Sequence, residues 1–142
     1  MQTKTVLALM LLIIPILMIV QSTQGQTVIF SGPVTLPPTH GVCGQYFFEA
    51  FTAGAGTVVY GNLTSNHGVN LYLLTDIGFK AWSRQIVAGG ICIPSNPVLI
   101  QQNATAYNFT ATITSGGKYD IVLNNLSHTS VTSTLAVYST TA

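Results

Sequence analysis

Four asparagines stand in triplets that can accept an N-linked sugar: Asn62-Leu63-Thr64, Asn103-Ala104-Thr105, Asn108-Phe109-Thr110 and Asn125-Leu126-Ser127. Asn96 is followed by Pro97 and does not qualify. A chain rich in Ser, Thr and Asn produces such triplets by chance, so their position must separate used ones from incidental ones. The second candidate chemistry is oxidation of Cys43 and Cys92, the two cysteines of the chain. Pairing them closes a loop of about 50 residues, which in the chain-entropy model stabilises a fold by about 4 kcal/mol. Two separate buried thiols are the alternative.

Hydrolytic chemistry would have to draw on His40, His67 and His128 with Glu49, Asp76, Asp120 and the serines. Triad partners need not be neighbours in sequence. No Gly-x-Ser-x-Gly elbow is present, however. Asp76 reads as a helix cap, Asp120 as an exposed strand residue beside Lys118, and His67 as a turn residue. A glycosidase would find its carboxylate pair only among Glu49, Asp76 and Asp120. Zinc needs more Cys or His at ligand spacing than three isolated histidines offer. The expectation is therefore no catalytic residue, no cofactor and no metal site.

Both sugar attachment and disulfide formation require export, and the amino end supplies the signal for it. Met1 to Thr5 carries one cation, Val6 to Val20 is an unbroken apolar run of 15 residues, and Gln21 to Gly25 is small and polar. That is the three-part layout of a cleaved export leader, with the cut expected near Gly25 and Gln26. A membrane-spanning helix wants roughly 20 apolar residues, and Pro15 would kink one that stayed. Beyond the leader, Lys80, Arg84 and Lys118 balance Glu49, Asp76 and Asp120. A neutral surface with so few charges gives no footprint for nucleic acid or anionic lipid. Membrane contact is expected only through the leader, and hydroxyls and attached sugar must do the solubilising.

Thr, Val, Tyr and Gly in abundance favour strands and turns. Thr27–Leu36, Gln45–Ala53, Thr57–Thr64 and Val69–Thr75 read as strands, separated by Pro37-Pro38, by Gly54 and Gly56, and by Ser65-Asn66-His67-Gly68. Val69–Thr75 is nearly continuously apolar, as a strand buried on both faces is. Asp76–Ser83 reads as one helical turn or a folded corner that tucks Trp82 under the sheet. Arg84–Gln102 is loop-rich with one or two edge strands. Asn103–Thr114 and Lys118–Asn124 form a hairpin across Ser115-Gly116-Gly117, and His128–Tyr138 closes the domain. No period of 3.6 is evident after the leader. In Asn103–Thr114 the alternation puts Asn108 on the wet side, so occupancy is expected there and at one further triplet at least. The fold class expected is all-β, a single antiparallel β-sandwich of about seven to nine strands following the hydrophobic signal helix. Its organisation is a leader at 1–25, an N-terminal strand and proline spacer at 26–40, and the sandwich body at 41–142.

The succession Tyr46-Phe47-Phe48, Gly56 to Gly61, Val69 to Thr75, Phe79 to Trp82, Gly117 to Asn125 and Val131 to Val137 resembles secreted prokaryotic β-sandwich modules of the GOLD and prepeptidase C-terminal kind. It covers about 95 residues, through motifs that mostly form core, and implies a binding or structural accessory role without catalytic residues. Gln26–Leu36 followed by Pro37-Pro38 also resembles the donor strand and spacer of archaeal thread or bundling-pilus subunits. That resemblance implies self-association, or association with other surface proteins, by strand addition. Lys4-Thr5 before the apolar run is faintly similar to the processing site of type IV pilins, which would keep the helix. The function expected is an exported, N-glycosylated, non-catalytic surface structural protein, with a filament subunit as its sharpest form. The alternative is a secreted carbohydrate- or protein-binding module, for which Trp82, Tyr60 and Tyr72 would supply a sugar-stacking face.

Overall fold

The computed structural model describes residues 25–90 and 92–141. The expected export leader, and the alternative of a retained pilin-type helix, fall outside the described residues apart from Gly25. Six strands and one helix follow: β1 (Gln26–Leu36), β2 (Gln45–Ala53), β3 (Val58–Thr75), α1 (Asp76–Val87), β4 (Leu99–Thr112), β5 (Gly117–Asn125) and β6 (Val131–Thr140). All strand pairs are antiparallel, in the order β1-β6-β3-β5-β2, with β4 on the other edge of β3.

The architecture turns on β3, which is 18 residues long. Its first half, Val58 to Ser65, pairs with β6, and its second half, Asn70 to Thr75, pairs with β5. β4 follows the opposite edge from Val58 to Leu73, with register shifts between Thr64 and Val69 and between Val69 and Leu71. The result is one curled sheet with two arms, β1-β6 and β2-β5, that share β3 and β4 and close over a common core. Val59, Leu63, Leu71 and Leu73 of β3 meet Ile121 and Leu123 of β5 and Leu135 and Val137 of β6 there.

Two expectations are corrected by this arrangement. The strands read at Thr57–Thr64 and Val69–Thr75 are one, so the described residues form six strands rather than seven to nine, in one curled half-barrel sheet rather than a separate pair. Ser65-Asn66-His67-Gly68 has turn composition because it bends the long strand between its arms. Ser65 still pairs with Ser133, and the backbone N–H of Thr132 donates to Asn66 Oδ1 at 2.9 Å. At Gly68 a Cβ would stand 1.8 Å from Asn103 Oδ1, so a larger residue there would have to displace the Asn103 side chain. His67 is thus an exposed strand residue, not a turn residue.

The second correction is α1, which runs for 12 residues where one turn was expected. Its cap is Thr75, whose Oγ1 accepts from the backbone N–H of Gly78 at 3.1 Å. Asp76 stands in the first turn instead and pairs with Lys80 at 2.7 Å, an exposed i, i+4 contact of small energetic weight. Phe79, Trp82 and Ile86 fall at helical spacing and pack on Tyr72, Leu74, Val122 and Tyr46. Trp82 is tucked under the sheet as expected, 1% exposed. Its Nε1–H donates to the carbonyl of Cys92 at 3.0 Å. Cys92 is in turn bonded to Cys43 in a disulfide that ties the β1–β2 loop to the segment after α1.

Candidate functional site

α1 covers the outer face of only one arm. Asn70, Tyr72 and Leu74, in the second half of β3, are buried, whereas Tyr60, Asn62 and Thr64, on the same face of its first half, stay half-buried or exposed. That uncovered stretch of sheet is the candidate site.

Cross-strand register assembles it. Tyr60 stands opposite Tyr138 of β6 on one side and Thr110 of β4 on the other. Tyr138 in turn stands opposite Val28 of β1, which is 59% exposed. One row across four strands therefore reads Val28, Tyr138, Tyr60, Thr110. The tyrosine rings lie 5.6 Å apart between centroids with 31° between their planes, close enough to act as a single apolar floor. The next row reads Ala136, Asn62, Asn108. Between the rows, Gly61 is obligatory: a Cβ there would lie 2.0 Å from the carbonyl oxygen of Ala136 and 2.8 Å from the Phe109 ring, which fills the inner space instead. The shallow hollow above this floor has a volume of about 530 Å³ and is lined by Val58, Tyr60, Asn62, Asn108, Thr110, Tyr138 and Thr140 among others. Among the described residues no Asp, Glu, His, Lys or Arg lines it. An aromatic floor with an amide and hydroxyl rim suits a neutral, hydroxyl-rich ligand with an apolar face.

The sugar-stacking trio expected from the sequence does not form. Trp82 and Tyr72 are buried beneath α1, and Tyr60 finds Tyr138 instead. The Tyr60–Tyr138 pair could have been proposed only with the register in hand, because 78 residues separate the two rings.

The attachment triplets divide. Asn62, Asn103 and Asn108 are exposed. Asn125 is fully buried, at 0% exposure. Its Nδ2 donates to the carbonyls of Pro37 (3.0 Å) and Thr129 (2.9 Å), and its Oδ1 accepts from the backbone N–H and the hydroxyl of Ser127 at 2.9 and 2.7 Å. Its own carbonyl accepts from Thr39 Oγ1 at 2.6 Å. Asn125 and Ser127 thus clamp the β1–β2 and β5–β6 loops together.

Glu49 does not join Asp120, whereas Asp76 stands near enough to Asp120 to act on it electrostatically. Glu49 aligns with Ile121 and Asp120 with Ala50 and Leu74, placing the two carboxylates on opposite faces. Among the described residues no three His, Cys, Asp or Glu come together where they could hold a metal ion. Asp120 corrects an expectation: it is 2% exposed rather than solvent-facing, because the helix closes over the face that alternation alone leaves open. Its Oδ2 has no hydrogen-bond partner. Burial first, and then the Asp76 carboxylate, raise its pKa, with Lys80 acting the other way.

A raised acid pKa in the fold makes stability fall as pH rises from the ordinary carboxylate range through the raised value. Asp120→Asn is accordingly expected to raise Tm at pH 7 while leaving it nearly unchanged near pH 3. Thermal melts of both proteins across that range check this, and parallel curves would show that Asp120 titrates normally.

No protein-family model matches the sequence, and no curated protein matches it. Among solved structures the chain is similar to the Aeromonas hydrophila periplasmic lysozyme inhibitor PliG, at 13% identity over 84% of this chain and 91% of that one, with a TM-score of 0.47. It is similar to the pre-peptidase C-terminal domain of a Bacillus anthracis collagenase at 14% identity, 76% and 89% coverage and a TM-score of 0.46. A CBM36-1 domain of a multidomain xylanase from the hindgut metagenome of Trinervitermes trinervoides matches at 11% identity, 83% and 98% coverage and 0.40. The scores are too low to carry a function from any of them to this chain.

Proposed function

We propose that the chain is an exported, non-catalytic surface module that holds a neutral saccharide against Tyr60 and Tyr138. The observation that carries this reading is the paired tyrosine floor on a stretch of outer sheet that α1 leaves bare. Sugar rings present C–H faces to aromatic rings and hydroxyls to amides, and this hollow offers both without a charge. The Cys43–Cys92 bridge supports an extracytoplasmic location, since such bonds persist where the surroundings oxidise thiols. To test the reading, the full chain made in a host that attaches no N-glycan is titrated with neutral oligosaccharides. Tyr60→Ala with Tyr138→Ala is expected to weaken binding about tenfold or more, an energy of about 1.4 kcal/mol. Equal affinity in parent and variant would refute it.

A filament subunit is the second reading, favoured by one observation. β1 pairs along its whole length with β6 of its own chain, as the last strand of its arm, and the stiff Pro37-Pro38 follows it. The same pairing could be made with the β6 of a second copy. Under this reading, deletion of Gln26 to Pro38 abolishes assembly and leaves a monomer that takes up a peptide of that sequence. Polymers that persist without the segment would exclude strand exchange.

A further inference from the structure

We infer that the saccharide on this face is the protein's own, attached at Asn62, and that the Asn125 triplet carries none. This rests on the sugar-binding reading above and names the source of the sugar. Asn62 is two residues along β3 from Tyr60, so both side chains leave the same face of the sheet one pleat apart. On β6 its neighbour is Ala136, a methyl group that leaves space for a sugar to turn from Nδ2 toward the tyrosines. On β4 its neighbour is Asn108, an exposed amide placed to hydrogen-bond a ring hydroxyl. Asn108 heads a triplet too, but Thr110 follows it on its own strand and Tyr60 lies diagonally across. A first sugar there meets the rim of the hollow, whereas one on Asn62 meets its floor. Asn103 lies at the register shift midway along the β3–β4 pair, seven residues along β4 from Thr110 and outside the hollow.

The attachment is a transfer from a lipid-phosphate-linked oligosaccharide by the host's membrane transferase. Nδ2 bonds to C1 of the reducing-end sugar, and the C1–O bond to the lipid phosphate breaks with its electron pair leaving on the phosphate. One amide proton passes to a base of the transferase. At Asn125 the same step would replace an N–H proton where both already donate to backbone carbonyls, and would put a sugar ring between two packed loops. A chain modified there cannot close this fold, so the folded protein is bare at Asn125.

The test uses the full chain from its native host. Site-resolved glycopeptide mass spectrometry is combined with melting of the parent, Asn62→Gln, the Tyr60→Ser Tyr138→Ser double variant, and the triple variant. The expected result is a glycan on Asn62 and none on Asn125. Asn62→Gln should then lower Tm by about 4 °C in the parent and by nothing resolvable once the tyrosines are gone. Thr105→Ala, which removes the Asn103 triplet at an exposed position outside the hollow, serves as the control that leaves this coupling intact. Equal Asn62→Gln shifts with and without the tyrosines would overturn the docking. Asn62 found bare, with the glycan-free chain still binding added oligosaccharide through the tyrosines, would overturn this inference and leave the sugar-binding reading standing. Asn62 bare and no saccharide bound would end both. A glycan on Asn125 of folded, disulfide-bonded protein would overturn the second part.

Discussion

Replacing Cys43 and Cys92 together by serine is expected to cost about 4 kcal/mol of stability and, for a domain of this size, to lower Tm by roughly 15 °C. The bridge joins residues 49 apart in sequence, so its removal frees a long loop in the unfolded chain. Domain stabilities run at about 5–15 kcal/mol in total, which makes the loss a large share. The native ends remain partly held without it, since Asn124 Nδ2 donates to the carbonyl of Cys43 at 3.0 Å and Trp82 Nε1 to that of Cys92. The folded state should therefore survive at low temperature, with its strand signal intact and its denaturation midpoint lowered. Urea melts of oxidised, reduced and serine-substituted protein check this. Identical midpoints before and after reduction would mean that the two thiols do not pair.

Trp82→Ala is expected to cost about 3–5 kcal/mol. The indole is the largest fully buried side chain in the domain. It sits between Tyr46 and Tyr72, with ring centroids 5.3 and 5.5 Å away, at the centre of the layer between α1 and the sheet. Truncation leaves a cavity that rigid strands on one side cannot fill, and it also strips the Cys92 carbonyl of its donor. Because Trp82 and Cys92 share that hydrogen bond, the loss in a Trp82→Ala variant that also lacks the bridge should differ from the sum of the two separate losses. Trp82→Phe is the intermediate case, keeping most of the apolar volume and losing only the donor. Denaturation followed by far-ultraviolet circular dichroism measures all of these. A Trp82→Ala midpoint within error of the parent would show that α1 is not docked through this residue.

The sequence could be read wherever a local pattern carried the information. Gln45–Ala53 alternates cleanly and is β2. Val131, Ser133, Leu135 and Val137 form the inner face of β6. Ser115-Gly116-Gly117 does connect two strands, but the hairpin read across it does not form: β4 pairs with β3, and β5 with β2 and β3. Burial of Trp82 was legible from its apolar neighbours.

What could not be read depends on neighbours distant in sequence. The helical period Phe79, Trp82, Ile86 is only three residues deep, and Gly78 near its start gave no helical signal. Ser65 to Gly68 looks like any polar turn until β4 and β6 are seen pairing past it. Asp120 and Asn125 both have the look of surface residues. One is covered by α1, and the other is used up by hydrogen bonds to Pro37, 88 residues away in the chain, and to Ser127 and Thr129 in the loop that follows it. The candidate site is legible only in part: the Asn62 and Asn108 triplets are plain in the sequence, but their cross-strand pairing and the meeting of Tyr60 with Tyr138 follow from a bent strand that no local pattern announces.

The claim on which the functional account depends is that a sugar lies over the rings of Tyr60 and Tyr138. Its most direct measurement is the nuclear Overhauser contact between tyrosine ring protons and sugar ring protons in the native glycoprotein. Cross-peaks from both rings to one saccharide, absent after enzymatic removal of the glycan, are the expected result. Ring resonances unchanged by glycan removal, and unmoved when neutral oligosaccharides are added to the stripped protein, would contradict it.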